Sequence, residues 1–283
     1  MDAIKRTLLF LLCGTIIGLA LVNFLPGGES GRDNPEVLVV GVGDDISGRL
    51  LEQVLKRYYA DGHQGLSSTA RDTMPEGTTA EESGMDSYLF VDCCSNTGMW
   101  ALVNQDIDIG FYCAHVSVTL VNRLEGFSIY GPVVMNGEVL GYWEKPEDMH
   151  RLGVPAKREH LKELALEQYP WVEEVKEVDA KSIAISFADR ELDGAVLDIS
   201  RAFHLPDYQY TRVTDQDYVS FCLVVRDEIV DTPQFQTFIQ YYNKTVEELN
   251  SPKKRQELYG MDGQFWDMAP LKFLYLQEPD AVG

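Results

Sequence analysis

Between residues 88 and 117 the chain reads YLFVDCCSNTGMWALVNQDIDIGFYCAHVS, and its apolar and polar positions predict strand, turn, helix, strand and turn in succession. Tyr88 to Val91 is a short apolar and aromatic run of strand type. Ser95 or Asn96 can cap a helix in which Met99, Leu102 and Val103 share one face. Ile107 to Tyr112 is a second strand. Cys93 and Cys94 follow the first strand and Cys113 follows the second. In open α/β sheets ligands sit outside the carboxyl ends of the strands, so these cysteines fall where such a fold binds something.

The same alternation runs along the rest of the chain. Residues 37–42 form a continuous apolar strand of the buried, parallel-sheet type, turned by Gly43-Asp44-Asp45. A helix over 46–59 places Leu50, Leu51, Val54, Leu55 and Tyr58 on one side. Residues 61–86, rich in Gly, Ser, Thr and Glu, read as a long surface loop. Further on, a helix over 116–124 precedes strands over 128–134 and 139–143, joined by Asn136-Gly137, a hairpin signal. Strands at 152–155, 172–178, 195–197 and 218–225 alternate with helices at 157–169 and 181–190. Two more helices open at Thr232-Pro233 and Ser251-Pro252, with Pro in the first turn. Two stretches echo each other: QDIDIGF at 105–111 and RELDGAV at 190–196 both end a helix, place an Asp, and enter a buried strand. One such motif in each half predicts two similar α/β lobes.

The N-terminus changes the picture. Lys5 and Arg6 precede an apolar run from Thr7 to Leu25 and then Pro26-Gly27-Gly28. That is the layout of an export signal or signal anchor over 1–28, which tethers the body outside the cytoplasm or releases it to the periplasm. The faint lipoprotein box at Leu11-Leu12-Cys13 has Leu12 where a small residue belongs. Residues 29–35 are a linker. The whole chain is 45% hydrophobic, enough for one large or two modest cores, and its net charge of −21 excludes nucleic acid as a partner. The five cysteines show no CxxC or zinc-finger spacing. No nucleophile elbow, P-loop or HExxH appears, so a binding protein is expected, not an enzyme, and no cofactor.

VLVVGVGD, ALVNQDIDIGF, RLGVPAKREHLKEL, RELDGAVLD and SFCLVVRDEIVDTPQFQTFI, in that order and spacing, make the chain resemble the extracytoplasmic solute-binding proteins of ABC transporters. The resemblance implies an α/β fold of the two-lobe, periplasmic type II kind, each lobe a mixed, mostly parallel sheet flanked by helices. It implies lobe one over 36–131 plus 225–260, lobe two over 132–224 and a C-terminal tail over 261–283, with hinge crossovers near 129–134 and 213–223. The ligand would sit between the lobes, and the partners would be an ABC permease and its ATPase. The pair in DCCSNTG is similar to the solute-binding (seleno)protein of the selenocysteine-assisted organometal system, thought to handle organomercury compounds. A Cys–selenocysteine pair is characteristic there, and this chain carries Cys93-Cys94 in its place.

Thiols suit soft metals, and a helix N-terminus beside Cys94 favours the thiolate. Cys93, Cys94 and Cys113 are therefore candidate ligands for a soft metal or organometal cation, opposed by the readings of a buried core cysteine or a disulfide. Ser95, Asp44 and Asp198 lie in turns after strands and are candidate ligand contacts, although capping alone would explain them. His115 could add a nitrogen ligand, and Cys222 reads as core. The alternative function is an enzyme on the same fold with a cysteine nucleophile and His115 as its base.

Overall fold

The structure is a computed structural model in which residues 37–62, 85–89, 96–104 and 106–277 are described. Among these residues no helix is long and apolar enough to cross a membrane. The N-terminal segment, most of the 61–86 loop, and Cys93, Cys94 and Ser95 lie outside them.

Two sheets share one plan. In the first, β1 (Leu38–Val42) lies between two parallel neighbours, β2 (Met85–Leu89) and β3 (Ile109–Cys113). Beyond β3 come β10 (Val219–Arg226), β4 (Phe127–Met135) and β11 (Lys272–Phe273), in antiparallel pairs. In the second, β6 (Arg151–Pro155) lies between parallel β7 (Glu174–Val178) and β8 (Gly194–Asp198), and β5 (Glu138–Tyr142) and β9 (Gln209–Arg212) extend it antiparallel. The fully buried β3, and β10 with its six buried interior residues, carry the unbroken apolar runs expected of strands covered on both faces.

The sequence echo has a structural counterpart in each sheet. Asp108 accepts from the Val39 amide at 2.8 Å and pairs with Arg226 at 3.3 Å, fixing the start of β1 against β3. Asp193 accepts from the Arg151 amide at 2.9 Å and pairs with that residue's guanidinium at 2.9 Å, fixing β6 against β8. The Arg151 hydrogen bond holds the Asp193 carboxyl below its ordinary range.

Helices cover these sheets. In lobe one α1 (Ile46–Ala60) presents Leu50, Leu51, Val54, Leu55 and Tyr58 to the core and meets α7 (Pro233–Leu249), with Tyr58 edge-on to Tyr241 at 5.4 Å. The others in chain order are α2 (Asn96–Val103), α3 (Ala114–Arg123), α4 (Glu159–Gln168), α5 (Ile183–Ala188), α6 (Ile199–Ala202), α8 (Pro252–Tyr259) and α9 (Gly263–Met268). After α9 the chain returns to the first sheet, held by Asn243 of α7 and by Asn250, which caps the C-terminus of that helix. Asn250 exchanges hydrogen bonds with both backbone groups of Phe273, and Asn243 does the same with Leu276.

Several expectations need correction. Asn136-Gly137 does not close a hairpin: β4 and β5 belong to different sheets, and Asn136 uses its positive φ of 55° to turn the chain between them. The chain makes that passage between Met135 and Glu138 and returns between Arg212 and Val219. β2 begins at Met85, not Tyr88. It is an edge strand whose inward anchor is Met85, while Leu89 is exposed, so its sequence carries little strand pattern. The helix expected over 181–190 is the shorter α5. The short elements α6, β9, α9 and β11 left no signal in the pattern.

Candidate ligand-binding junction between the lobes

The turns that end β1 and β8 meet across the lobes. Asp45 caps α1, its Oδ1 accepting from the Ser47 and Gly48 amides at 3.0 Å each. The turn is tight: a Cβ on Gly48 would lie 1.8 Å from the Gly43 carbonyl oxygen, so only glycine fits there. Asp198 caps α6 in lobe two through the Ser200 amide at 2.8 Å. The same oxygen accepts from the Ile46 amide of α1 in lobe one, at 3.0 Å. One carboxylate thus caps two helices in opposite lobes. Its second oxygen, Oδ2, is buried with no hydrogen-bond partner among the described residues. Beside it Arg201 of α6 reaches back to Asp44 at 2.6 Å.

A second layer lies where the chain passes between the sheets. Arg158, ahead of α4, donates to Glu138 Oε1 at 2.5 Å, and Ser220 Oγ donates to Glu138 Oε2 at 2.6 Å. The Gly137 amide donates to Ser220 Oγ at 2.8 Å, which links both crossovers to the ion pair. Arg158 also lies over the Phe221 ring, 5.4 Å from its centroid. Asn136 exchanges hydrogen bonds with the Tyr218 backbone and donates to Asp217 and to the Pro270 carbonyl, joining both passages to the C-terminal segment. His115 of α3 faces His160 of α4 at 5.9 Å between rings, and His160 faces Tyr218 at 6.5 Å.

Charge at the junction is unbalanced. Asp44, Asp45, Glu138 and Asp198 face the guanidinium groups of Arg158 and Arg201. Burial, then the neighbouring Asp45 charge, pushes Asp198 up to about 7. Burial also raises Asp45, against the hydrogen bonds it accepts. Tyr218 is raised well above the usual phenol range by burial and by Glu138.

Of the residues singled out in the sequence, Asp44 and Asp198 come together here, with Asp45 and Ser200. Cys113 ends β3, 1% exposed, in the first-lobe core and opposite Phe221 on β10. Cys222 is a buried strand residue whose thiol is pushed up by burial. β2 and β3 are not adjacent, as a direct pairing of Cys93 with Cys113 would require; β1 separates them, which spaces their ends by about 10 Å at 4.8 Å per strand. Among the described residues no group of three His, Cys, Asp or Glu side chains could hold a metal ion. Trp143 packs on Phe187 and Tyr208 inside lobe two, and Trp100 and Trp171 are exposed. The reading of the sequence missed Arg158, Glu138, Ser220, Tyr218 and His160. Its one usable signal was a glutamate heading the otherwise apolar EVLGY strand.

Comparison with known proteins bears on this arrangement. No family model matches the chain, and no curated protein matches it in sequence. Solved structures do match in shape. The zinc-bound ligand-binding component of an ABC-type import system from Staphylococcus aureus superposes with a TM-score of 0.61 at 14% identity, over 85% of this chain and 86% of that one. The methionine-binding protein MetQ gives 0.59 at 16% identity, over 86% of this chain and all of the other (100%). The chain has the two-lobed periplasmic-binding-protein fold. A methionine-bound nutrient-binding protein from Burkholderia cenocepacia adds a TM-score of 0.52 at 15% identity, over 76% and 95% of the two chains. In a two-lobed protein of this kind the Asp198–Ile46 contact spans the lobes.

Proposed function

We propose that this protein is the extracytoplasmic solute-binding component of an ABC importer, a binding protein without catalytic turnover. It would capture a small ligand between its lobes and present it to a permease and its ATPase. The observation that carries this reading is the polar junction between the lobes, to which strand ends of both sheets contribute buried charged groups. Lobe one would comprise 36–135 with 219–277, and lobe two 136–218, because the sheets exchange the chain at those points. The fold it shares with ABC-system binding proteins supports the same reading. So does the export-type N-terminus, through which the chain would be tethered to the cell membrane or exported.

The cargo we propose is an organometal or soft metal cation taken by the thiols of Cys93 and Cys94, with Cys113 left in the first-lobe core. The excess of carboxylate over guanidinium at the junction favours a cation over an anion. Affinity purification of the full-length protein from membranes of its native cell tests the transport reading. An ABC permease and ATPase should co-purify, and the protein should face the extracytoplasmic side in protease-accessibility assays. Recovery in the cytosol would end it.

A further inference from the structure

We propose that the closed junction is a proton-binding site: Asp45 and Asp198, one from each lobe, hold a single proton between them when the lobes meet and release it to solvent when they part. Closure of the empty protein is then coupled to proton uptake.

Both carboxylates lie over the first turn of one helix. Asp198 accepts from the Ile46 amide, and Asp45 from the next two amides, of Ser47 and Gly48. The Ser47 hydroxyl adds a 2.5 Å bond to the same Asp45 oxygen. Asp198 Oδ1 is engaged twice, by Ile46 and Ser200, which leaves the buried Oδ2 as the atom to carry a proton. A bare carboxylate oxygen buried without a donor is costly, and a proton removes that cost.

The neighbouring cations are each bonded to another carboxylate and compensate the pair only in part. Arg158 is engaged by Glu138 and Arg201 by Asp44, while Tyr218 faces Glu138 as a neutral phenol. The cavity lined by Asp44, Asp45, Arg158, Asp198 and Arg201 measures about 20 Å³, room for little more than one water. Arg158 draws both carboxylates down, but burial outweighs it, so the adjacent pair of Asp45 and the buried Asp198 Oδ2 shares a proton, as paired carboxylates do elsewhere. Burial in the closed form raises both groups. The closed form therefore binds the proton more tightly than the open form, and closure weakens as pH rises through about 7.

The proposal rests on the lobes parting, as the proposed function requires, but its test uses cargo-free protein, so failure of one does not imply failure of the other. Hydrogen exchange of the full-length chain in detergent, read at single-residue resolution for the Ile46 amide and corrected for intrinsic pH dependence, reports opening. Between pH 6 and pH 8 protection should fall about tenfold, given about 7 when closed and an ordinary carboxylate when open. The Glu174 amide, at the end of β7 opposite the strand end that borders the cavity, should show no such slope. Asp198→Asn keeps an Oδ1 acceptor for both amides but cannot ionise, so its protection should be flat with pH. Asp45→Asn removes the second cause of the shift and should reduce the slope. A flat wild-type profile, or a slope unchanged in both variants, overturns the proposal. An Ile46 amide unprotected at both pH values also overturns it, because the closed junction would then not be populated.

Discussion

Replacing Arg158 with Met tests whether the junction is as dry as its geometry implies. The side chains of Arg158 and Glu138 are 6% and 1% exposed, and they meet at 2.5 Å. Arg158→Met keeps most of the apolar stem over Phe221 but leaves the Glu138 carboxylate without its cation, held by neutral hydroxyl donors such as Ser220. Removing one partner of a buried, hydrogen-bonded pair costs about 3–5 kcal/mol, against less than about 1 kcal/mol for an exposed pair. With a urea m-value of about 3 kcal/mol/M, that lowers the unfolding midpoint by roughly 1–1.7 M. Adding Glu138→Gln removes the orphaned charge, so the double variant should recover about 2 kcal/mol relative to Arg158→Met. Urea melts at pH 7 followed by circular dichroism give both values. A loss below about 1 kcal/mol with no recovery in the double variant would show that water reaches the pair, and the argument for a closed junction would fail.

Other substitutions probe the elements that build the site. Gly48→Ala forces a Cβ into the Gly43 carbonyl and should cost at least 1–3 kcal/mol (order of magnitude) in the same melts. Asn136→Ala loses the Asp217 and Pro270 bonds and strains a positive φ, while Asn136→Gly loses the bonds without the strain, so Ala should be the less stable of the two. Asn250→Ala should release Phe273, read as faster exchange of the tail amides with little change in β1. Because Asp198 is raised above its unfolded value, its contribution to stability is present in full below about pH 4 and is lost as pH rises through about 7. Urea midpoints of the wild type should therefore fall between pH 5 and pH 8, and Asp198→Asn should fall less. Asp193, lowered by Arg151, acts at the acid end instead: its contribution is lost as pH falls below the ordinary carboxylate range.

What the sequence showed, it showed through periodicity. The apolar runs at 37–42 and 218–225 are covered on both faces and read correctly as buried strands, and α1 carries its apolar face at helical spacing. The two Asp-before-strand motifs were legible because each does the same work, clamping the neighbouring strand's first amides. Asn136-Gly137 misled because a positive φ specifies a sharp turn and not its destination; here the turn leads to another sheet. Asp44 and Asp198 stood out as turn residues after strands, but their meeting across the lobes depends on tertiary contacts 152–157 residues apart in sequence. Arg158 and Glu138 were not legible as partners at all. Each sits at the edge of an element where charged residues are common, and only the packing of the junction buries them.

The central claim, capture of a thiol-seeking cation by a two-lobed binding protein, is tested most directly by native mass spectrometry of the reduced full-length protein titrated with methylmercury. The wild type should take up a stoichiometric equivalent that survives competition from a small monothiol, and a Cys93→Ser, Cys94→Ser double variant should not. Equal uptake by both proteins would contradict the account.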